Sequence, residues 1–207
     1  MELPEREYWE RGEVVAGLDE AGRGPLAGPV VVACVVFPPD TKPFLDRDSK
    51  KYPPAQREFL FRRIVKSALA VTVAFATPQE IEQLNIYRAT REAYYRALKM
   101  LPFGVSAVFT DYMPLKGLDI PVFSPPKADE NIFSVAAASV VAKVIRDRIM
   151  ELYGKRFPQY GFESHKGYPT KGHIEALKTF GVLDIHRKNY KPVRESLKSG
   201  ELFGKGK

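Results

Sequence analysis

Two apolar runs, EVVAGLDE (13–20) and PVVVACVVF (29–37), flank AGRGPLAG, in which three glycines and a proline mark a turn. Runs this apolar and this rich in β-branched residues are buried strands, and the turn between them pairs them as a hairpin. Further strands are expected at 70–76, 105–111 and 120–124. Pro54 opens a helix over 54–70, with Phe59, Phe61, Ile64, Val65 and Ala68 at helical spacing. Pro78 opens a second helical stretch that runs with interruptions to about Leu101. A long helix from Phe133 to Phe157 starts with SVAAASVVAKVIRDRI, whose small side chains permit close packing on a sheet. Short helices follow at 170–180 and 192–199, and SGELFGKGK at the end reads as a frayed tail. Strands that first pair and then alternate with helices specify one α/β domain. No repeat or linker divides it.

The composition is 44% hydrophobic and 28% charged, that of a globular protein. No run approaches the ~18 apolar residues of a membrane span, and the acidic opening MELPEREYWERGE is unlike a targeting leader. Cys34 is the single cysteine, which excludes an intramolecular disulfide and a cysteine-rich zinc site and suits a reducing cytosol. Cys34 itself reads as a small core residue. Three Asn and four Gln are few, as in thermophilic proteins. The net charge of +7 is unevenly spread. Residues 1–20 hold seven acidic and two basic side chains, residues 41–66 eight basic and three acidic, and residues 143–207 fifteen basic and seven acidic. That distribution fits a polyanionic partner or an ordinary solvated basic surface.

GLDEAGRG is not a phosphate loop, because no Lys-Ser/Thr pair follows and Asp19 and Glu20 repel phosphate. GRGPLA matches a loose dinucleotide pattern, but a strand follows it where a helix N-terminus is required. His165, His173 and His186 form no zinc pattern and read as polar-surface or hydrogen-bonding residues. The carboxylates are more informative. Asp19 and Glu20 end one apolar strand, Asp111 ends another, and Asp129 precedes the small-residue helix. Ligands of open α/β sheets bind at such strand ends. Strand alternation sends neighbours to opposite faces, so a bend or the strand's end must unite Asp19 with Glu20. Clustered carboxylates repel one another unless cations occupy them, and an all-oxygen set selects Mg²⁺ or Mn²⁺. Beside basic surroundings this points to two-ion attack on a phosphodiester. Asp129 as a helix cap and Asp111 as a turn residue remain open alternatives. Asp147, between Arg146 and Arg148, reads as a structural ion pair.

AGLDEAGRGPLAGPVVVACVV (16–36) resembles the N-terminal signature of ribonuclease HII. The resemblance continues through DSKK (48–51), LNIYRAT (84–90), the strand ending in Asp111, KAD (127–129), AAASVVAKVIRD (136–147), HKGYPTKGH (165–173) and IHRKNYKPV (185–193), covering roughly residues 14–193. It departs from the family at Tyr112, where the family often has glycine, and at Lys127-Ala128-Asp129, where it often has KGD. The LAGPVV continuation resembles bacterial members.

The resemblance implies a ribonuclease H-like mixed sheet flanked by helices, with additional C-terminal helices. It implies a single catalytic domain over 1–193, with the helix end and a flexible tail at 194–207. The family's four metal-binding, catalytic carboxylates correspond to Asp19, Glu20, Asp111 and Asp129. Gly22, Arg23 and Gly24 correspond to its ribose-approaching GRG element, where a missing Cβ lets backbone groups reach a 2′-hydroxyl. Tyr168 corresponds to the substrate-sensing tyrosine, Lys50 and Lys143 to positions near phosphates, and Asn85 to a nucleic-acid contact. The implied cofactors are Mg²⁺ or Mn²⁺, two during catalysis. The implied substrates are RNA/DNA hybrids and ribonucleotide-containing duplex DNA, cut 5′ of the ribonucleotide by a cytoplasmic monomer without membrane contact. Another ribonuclease H-like nuclease, such as a junction-resolving enzyme, and a non-catalytic hybrid-binding module are the alternatives.

Overall fold

The computed structural model describes residues 4–45 and 52–203. Val15–Ala21 (β1) and Val30–Val36 (β2) form the expected antiparallel hairpin, with Ala16 opposite Val36 and Ala21 opposite Val31. Ala70–Ala76 (β3) pairs antiparallel with β2. Ala107–Thr110 (β4) pairs in parallel with β1, and Val122–Phe123 (β5) in parallel with β4. The result is one mixed sheet in the order β3-β2-β1-β4-β5. β4 is shorter than the expected 105–111, because pairing with β1 starts at Ala107.

Both faces of this sheet are covered, as apolar strands without a polar face require. Alternation along β2 makes the division plain. Val31, Ala33 and Val35 join a core with Val140, Val141 and Val144 of the long helix Phe133–Arg156. Val30, Val32, Cys34 and Val36 join the opposite core with Ala93, Tyr94 and Ala97 of Ile86–Lys99. In chain order the helices are Arg6–Trp9 (α1), Pro54–Ser67 (α2), Pro78–Leu84 (α3), Ile86–Lys99 (α4), Ala128–Asn131 (α5), Phe133–Arg156 (α6), Phe162–His165 (α7), Lys171–Phe180 (α8) and Lys191–Phe203 (α9). α9 outruns the expected 192–199 and continues through part of the supposed tail. None of the described helices is long and apolar enough to cross a membrane. Cys34 is buried, and desolvation pushes its thiol up to about 12, so it acts as an apolar space filler.

α6 lies directly on β1 because Gly17 has no side chain. A Cβ there would sit 2.2 Å from the Ser134 carbonyl carbon. The start of α6 is held from outside the helix. Glu5, fully buried, accepts the Ser134 backbone N–H at 3.3 Å and also the Ser134 hydroxyl. It thereby satisfies a donor that the first helical turn leaves without an intrahelical partner.

Apolar character alone does not choose the buried face of α2, which buries Leu60 and Ile64 while Phe59 and Val65 stay 57% and 48% exposed. Phe59 and Val65 lie off the i, i+4 stripe through Leu60, Ile64 and Ala68 that meets the core. Asp147 does form a structural ion pair, with neither adjacent arginine, since residues one apart on a helix do not face each other. Its partners are Lys143 and, at 3.7 Å, Arg57, while Arg148 binds Glu58.

Candidate active site

The parallel register of β1 and β4 brings the first carboxylates together. Leu18 lies beside Thr110, so Asp19 and Asp111 leave the paired segments side by side. The Asp111 carboxylate then accepts the Ala128 N–H at 2.9 Å and tethers the start of α5, which carries the buried Asp129. Asp129 therefore lies inside a one-turn helix, and the α6 cap position is Ile132 without a side-chain bond. Asp19 is 5% exposed and accepts a hydrogen bond from Ser139 of α6. Glu20 turns toward the other layer, accepting the hydroxyl of buried Tyr94 on α4 and, at 3.3 Å, Arg23. Strand alternation thus still separates the Asp19 and Glu20 partners at the end of β1.

Electrostatically the group is strained. Desolvation pushes the Asp19 carboxyl well above the usual carboxylate range, and the charges of Glu20 and Asp111 add to it. Glu20 is raised by desolvation and by Asp111, against the opposing pull of Tyr94 and Arg23. Among the described residues, no three His, Cys, Asp or Glu side chains stand close enough to enclose a cation as they lie. The donor chemistry nevertheless fits a hard divalent ion: the set is all oxygen, and its buried negative charge is undercompensated.

Beside the carboxylates lies a cavity of about 250 Å³ lined by Glu20, Gly22, Arg23, Gly24, Ser139, Lys143, Arg146 and Tyr168. Five residues singled out in the sequence, Gly22, Arg23, Gly24, Lys143 and Tyr168, therefore share one wall system with Glu20. Gly22 has φ +99°, and a Cβ on it would fall 1.9 Å from Arg146 Nε, so only glycine fits there. A Cβ on Gly24 would touch Tyr168 at 3.6 Å, which places the tyrosine ring against the loop. Asn85 does not line this cavity. With φ +67° it ends α3 and accepts the Arg88 N–H at 3.1 Å, capping α4. Lys50 lies outside the described residues. Tyr112, the departure from the family's glycine, has φ +50°, a backbone that glycine adopts at no cost. Its exposed ring borders a second cavity with Arg23, Tyr87, Pro114 and Ser124.

Several residues at the site were not singled out for it in the sequence. Ser139 and Arg146 line the cavity, and with Lys143 they recur at i, i+4 and i+7 along the small apolar first half of α6. That polar stripe was a readable signal. Arg146 and Arg187 are fully buried, yet among the described residues they bond backbone carbonyls in place of carboxylates. Desolvation, then repulsion from Arg187, lowers Arg146 to about 10, which leaves it a cation at neutral pH. Two positive charges thus stand behind the loop wall, a favourable background for an anionic ligand. Nothing in the spacing of IHRKNY announces the burial of Arg187.

The protein family described as Ribonuclease HII matches residues 16–193. The chain is 47% identical over 194 residues to a ribonuclease HII of Aquifex aeolicus, covering 93% of this chain and 97% of that one. It is 48% identical over 192 residues to a ribonuclease HII of Thermus thermophilus, covering 93% of each. The fold is similar to the crystal structure of ribonuclease H2 from Pyrococcus horikoshii, with a TM-score of 0.77 at 28% identity over 93% of this chain and all of that one.

Proposed function

The chain belongs to the ribonuclease HII family and is a ribonuclease H endonuclease, and on that premise we propose that it hydrolyses the phosphodiester 5′ of ribonucleotides in RNA/DNA hybrids and of single ribonucleotides in duplex DNA. The products are a 3′-hydroxyl and a 5′-phosphate, and the cellular work is removal of misincorporated ribonucleotides. The observation that carries this reading is the cavity in which Gly22–Gly24, Lys143 and Tyr168 adjoin Glu20.

Asp19, Glu20, Asp111 and Asp129 would hold Mg²⁺ or Mn²⁺. Divalent ions there supply a lowered water pKa and charge stabilisation at the phosphoryl group. The chain's own residues do the rest. Arg23 and Gly24 offer backbone N–H groups to the ribose 2′-hydroxyl, the atom that separates RNA from DNA. The Tyr168 ring covers the sugar. Lys143, with Arg146 and Arg187 behind it, draws the phosphate into the cavity. Contacts elsewhere go to phosphates and are largely independent of sequence.

The deciding experiment uses a labelled DNA duplex containing one ribonucleotide, incubated with Mg²⁺ or Mn²⁺ and mapped at nucleotide resolution. One cut 5′ of the ribose, absent from the all-DNA control, is expected. Cleavage only within longer hybrids removes the assignment of Gly22–Gly24 and Tyr168 as a junction reader. Cutting of an all-DNA junction places the activity among other ribonuclease H-like nucleases, and tight hybrid binding without turnover makes the protein a binding module.

A further inference from the structure

We propose that the dipeptide His186-Arg187 is the positioning element that sets both walls of the ribose-reading cavity, Gly22–Gly24 on one side and Tyr168 on the other. The proposal rests on the reading of that cavity given above. The segment around the dipeptide lies against the return limb of the β1–β2 turn. Arg187 N–H donates to Leu26 O at 2.8 Å, Gly28 N–H donates to Ile185 O at 2.8 Å, and Ala27 bridges His186 in antiparallel fashion. At this bridge the Arg187 guanidinium bonds the loop and the His186 ring faces His173, so one dipeptide reaches two walls.

Arg187 takes the loop. Its guanidinium donates to Gly22 O at 2.6 Å, to Arg23 O at 2.8 Å and to Gly28 O at 2.9 Å. Tyr190 shares the task, its hydroxyl donating to Arg23 O at 2.8 Å. A trans peptide is planar, with its C=O and the following N–H pointing in opposite directions. Pinning the Gly22 and Arg23 carbonyls to the buried guanidinium therefore aims the N–H groups of Arg23 and Gly24 away from it. Among the described residues neither N–H has an acceptor. Two free donors directed by a buried cation are what an incoming hydroxyl needs.

His186 takes the tyrosine. Leu183 N–H donates to His186 Nδ1 at 2.9 Å, so the His186 proton sits on Nε2. That nitrogen faces His173 Nε2 at 3.1 Å, which must then accept. The His173 proton is left on Nδ1, where it donates to Tyr168 O at 2.9 Å. Both imidazoles are fully buried and hydrogen-bonded in this arrangement, in which His186 Nδ1 also lies 3.3 Å from Leu183 O. The relay ends on the backbone of Tyr168, whose ring a Cβ on Gly24 would meet at 3.6 Å.

The test compares Arg187→Lys, His186→Leu and His186→Gln with the wild type. Lysine keeps the charge but cannot span three carbonyls, leucine removes the relay, and glutamine restores a donor toward His173. Single-turnover cleavage at an embedded ribonucleotide is expected to fall about thirtyfold in Arg187→Lys and His186→Leu, the scale of a misplaced reacting group. Affinity for an all-DNA duplex should stay within roughly twofold, because its phosphate contacts are untouched. His186→Gln should recover most of the rate. The ¹H–¹⁵N signals of Arg23 and Gly24 provide a readout that a loss of folded protein does not move. In the wild type they should respond differently to duplexes with and without the single 2′-hydroxyl, and in Arg187→Lys they should respond alike. Should Arg187→Lys fail to fold, Tyr190→Phe, which deletes one hydroxyl, carries the same readouts with a loss of about fivefold. Folded variants with wild-type rates and unaltered amide responses overturn the proposal. A wild type whose amides answer both duplexes identically overturns the reading of the cavity itself.

Discussion

At the scale of single residues, the site is held at a cost in stability. Desolvation of the buried Asp19, then the charges of Glu20 and Asp111, raise the energy of its ionised form relative to water, against the hydrogen bond from Ser139. A carboxyl whose folded pKa is raised contributes stability below its unfolded pKa and loses it as pH rises through the folded value. At neutral pH without metal, Asp19→Asn should therefore melt higher than the wild type, by roughly 2–4 °C for each ~1 kcal/mol relieved in a domain of this size. The same variant should lose all turnover, and Mn²⁺ should raise the melting temperature of the wild type but not of the variant. Calorimetry with and without Mn²⁺ measures both effects, and an active Asp19→Asn enzyme sinks the metal assignment. Asp19, Glu20 and Asp111 stood out in the sequence by type and strand-end position, Asp129 by its place before the small-residue helix, and the GRG glycines through the family resemblance. Asn85 was legible as a special residue too, but its capping of α4 depends on a φ of +67°, which no spacing announces.

At the scale of elements, the contact between α6 and β1 controls the site, because α6 carries Ser139, Lys143 and Arg146 while β1 carries Asp19 and Glu20. Gly17→Ala would drive a methyl into the Ser134 backbone and push the helix off the strand. Overpacking against backbone costs about 3 kcal/mol, and urea unfolding of that variant should show a loss of this size together with a larger fall in activity. The other end of the contact is pH-sensitive. Desolvation raises Glu5 from 4.5 to about 7, against the hydrogen bonds from Ser134 and Phe133. Its stabilising contribution is complete below the unfolded pKa and declines as pH rises toward 7. Glu5→Gln should flatten the stability profile between pH 4.5 and 7, with a difference between the two proteins on the order of 2–3 kcal/mol across that window. Parallel profiles for the two proteins would show that Glu5 does not titrate there. Strands and helices were read closely from periodicity, as at 70–76, where expectation and β3 coincide. The buried face of α2 was not legible, because Phe59 and Val65 are as apolar as the residues that reach the core.

At the scale of the whole molecule, charge is segregated along the chain, from seven acidic and two basic residues in 1–20 to fifteen basic and seven acidic in 143–207. If the basic segments hold duplex by its phosphates, affinity should fall about a hundredfold between 50 and 200 mM salt, the response expected for some four neutralised phosphates. A titration by fluorescence anisotropy checks this, and a flat salt dependence would leave the charge as ordinary surface. The sequence by itself determined the α/β alternation, the hairpin, the carboxylate-bearing strand ends and the family, because each is written in local residue types and short spacings. Only the tertiary structure decided that Arg187, 165 residues from Gly22, holds the GRG loop. It likewise decided that His165 stacks on His173 and that the buried His173 and His186 face each other. A buried arginine or histidine is stabilised by carbonyls and rings from distant segments, and those partners meet only when the chain has folded.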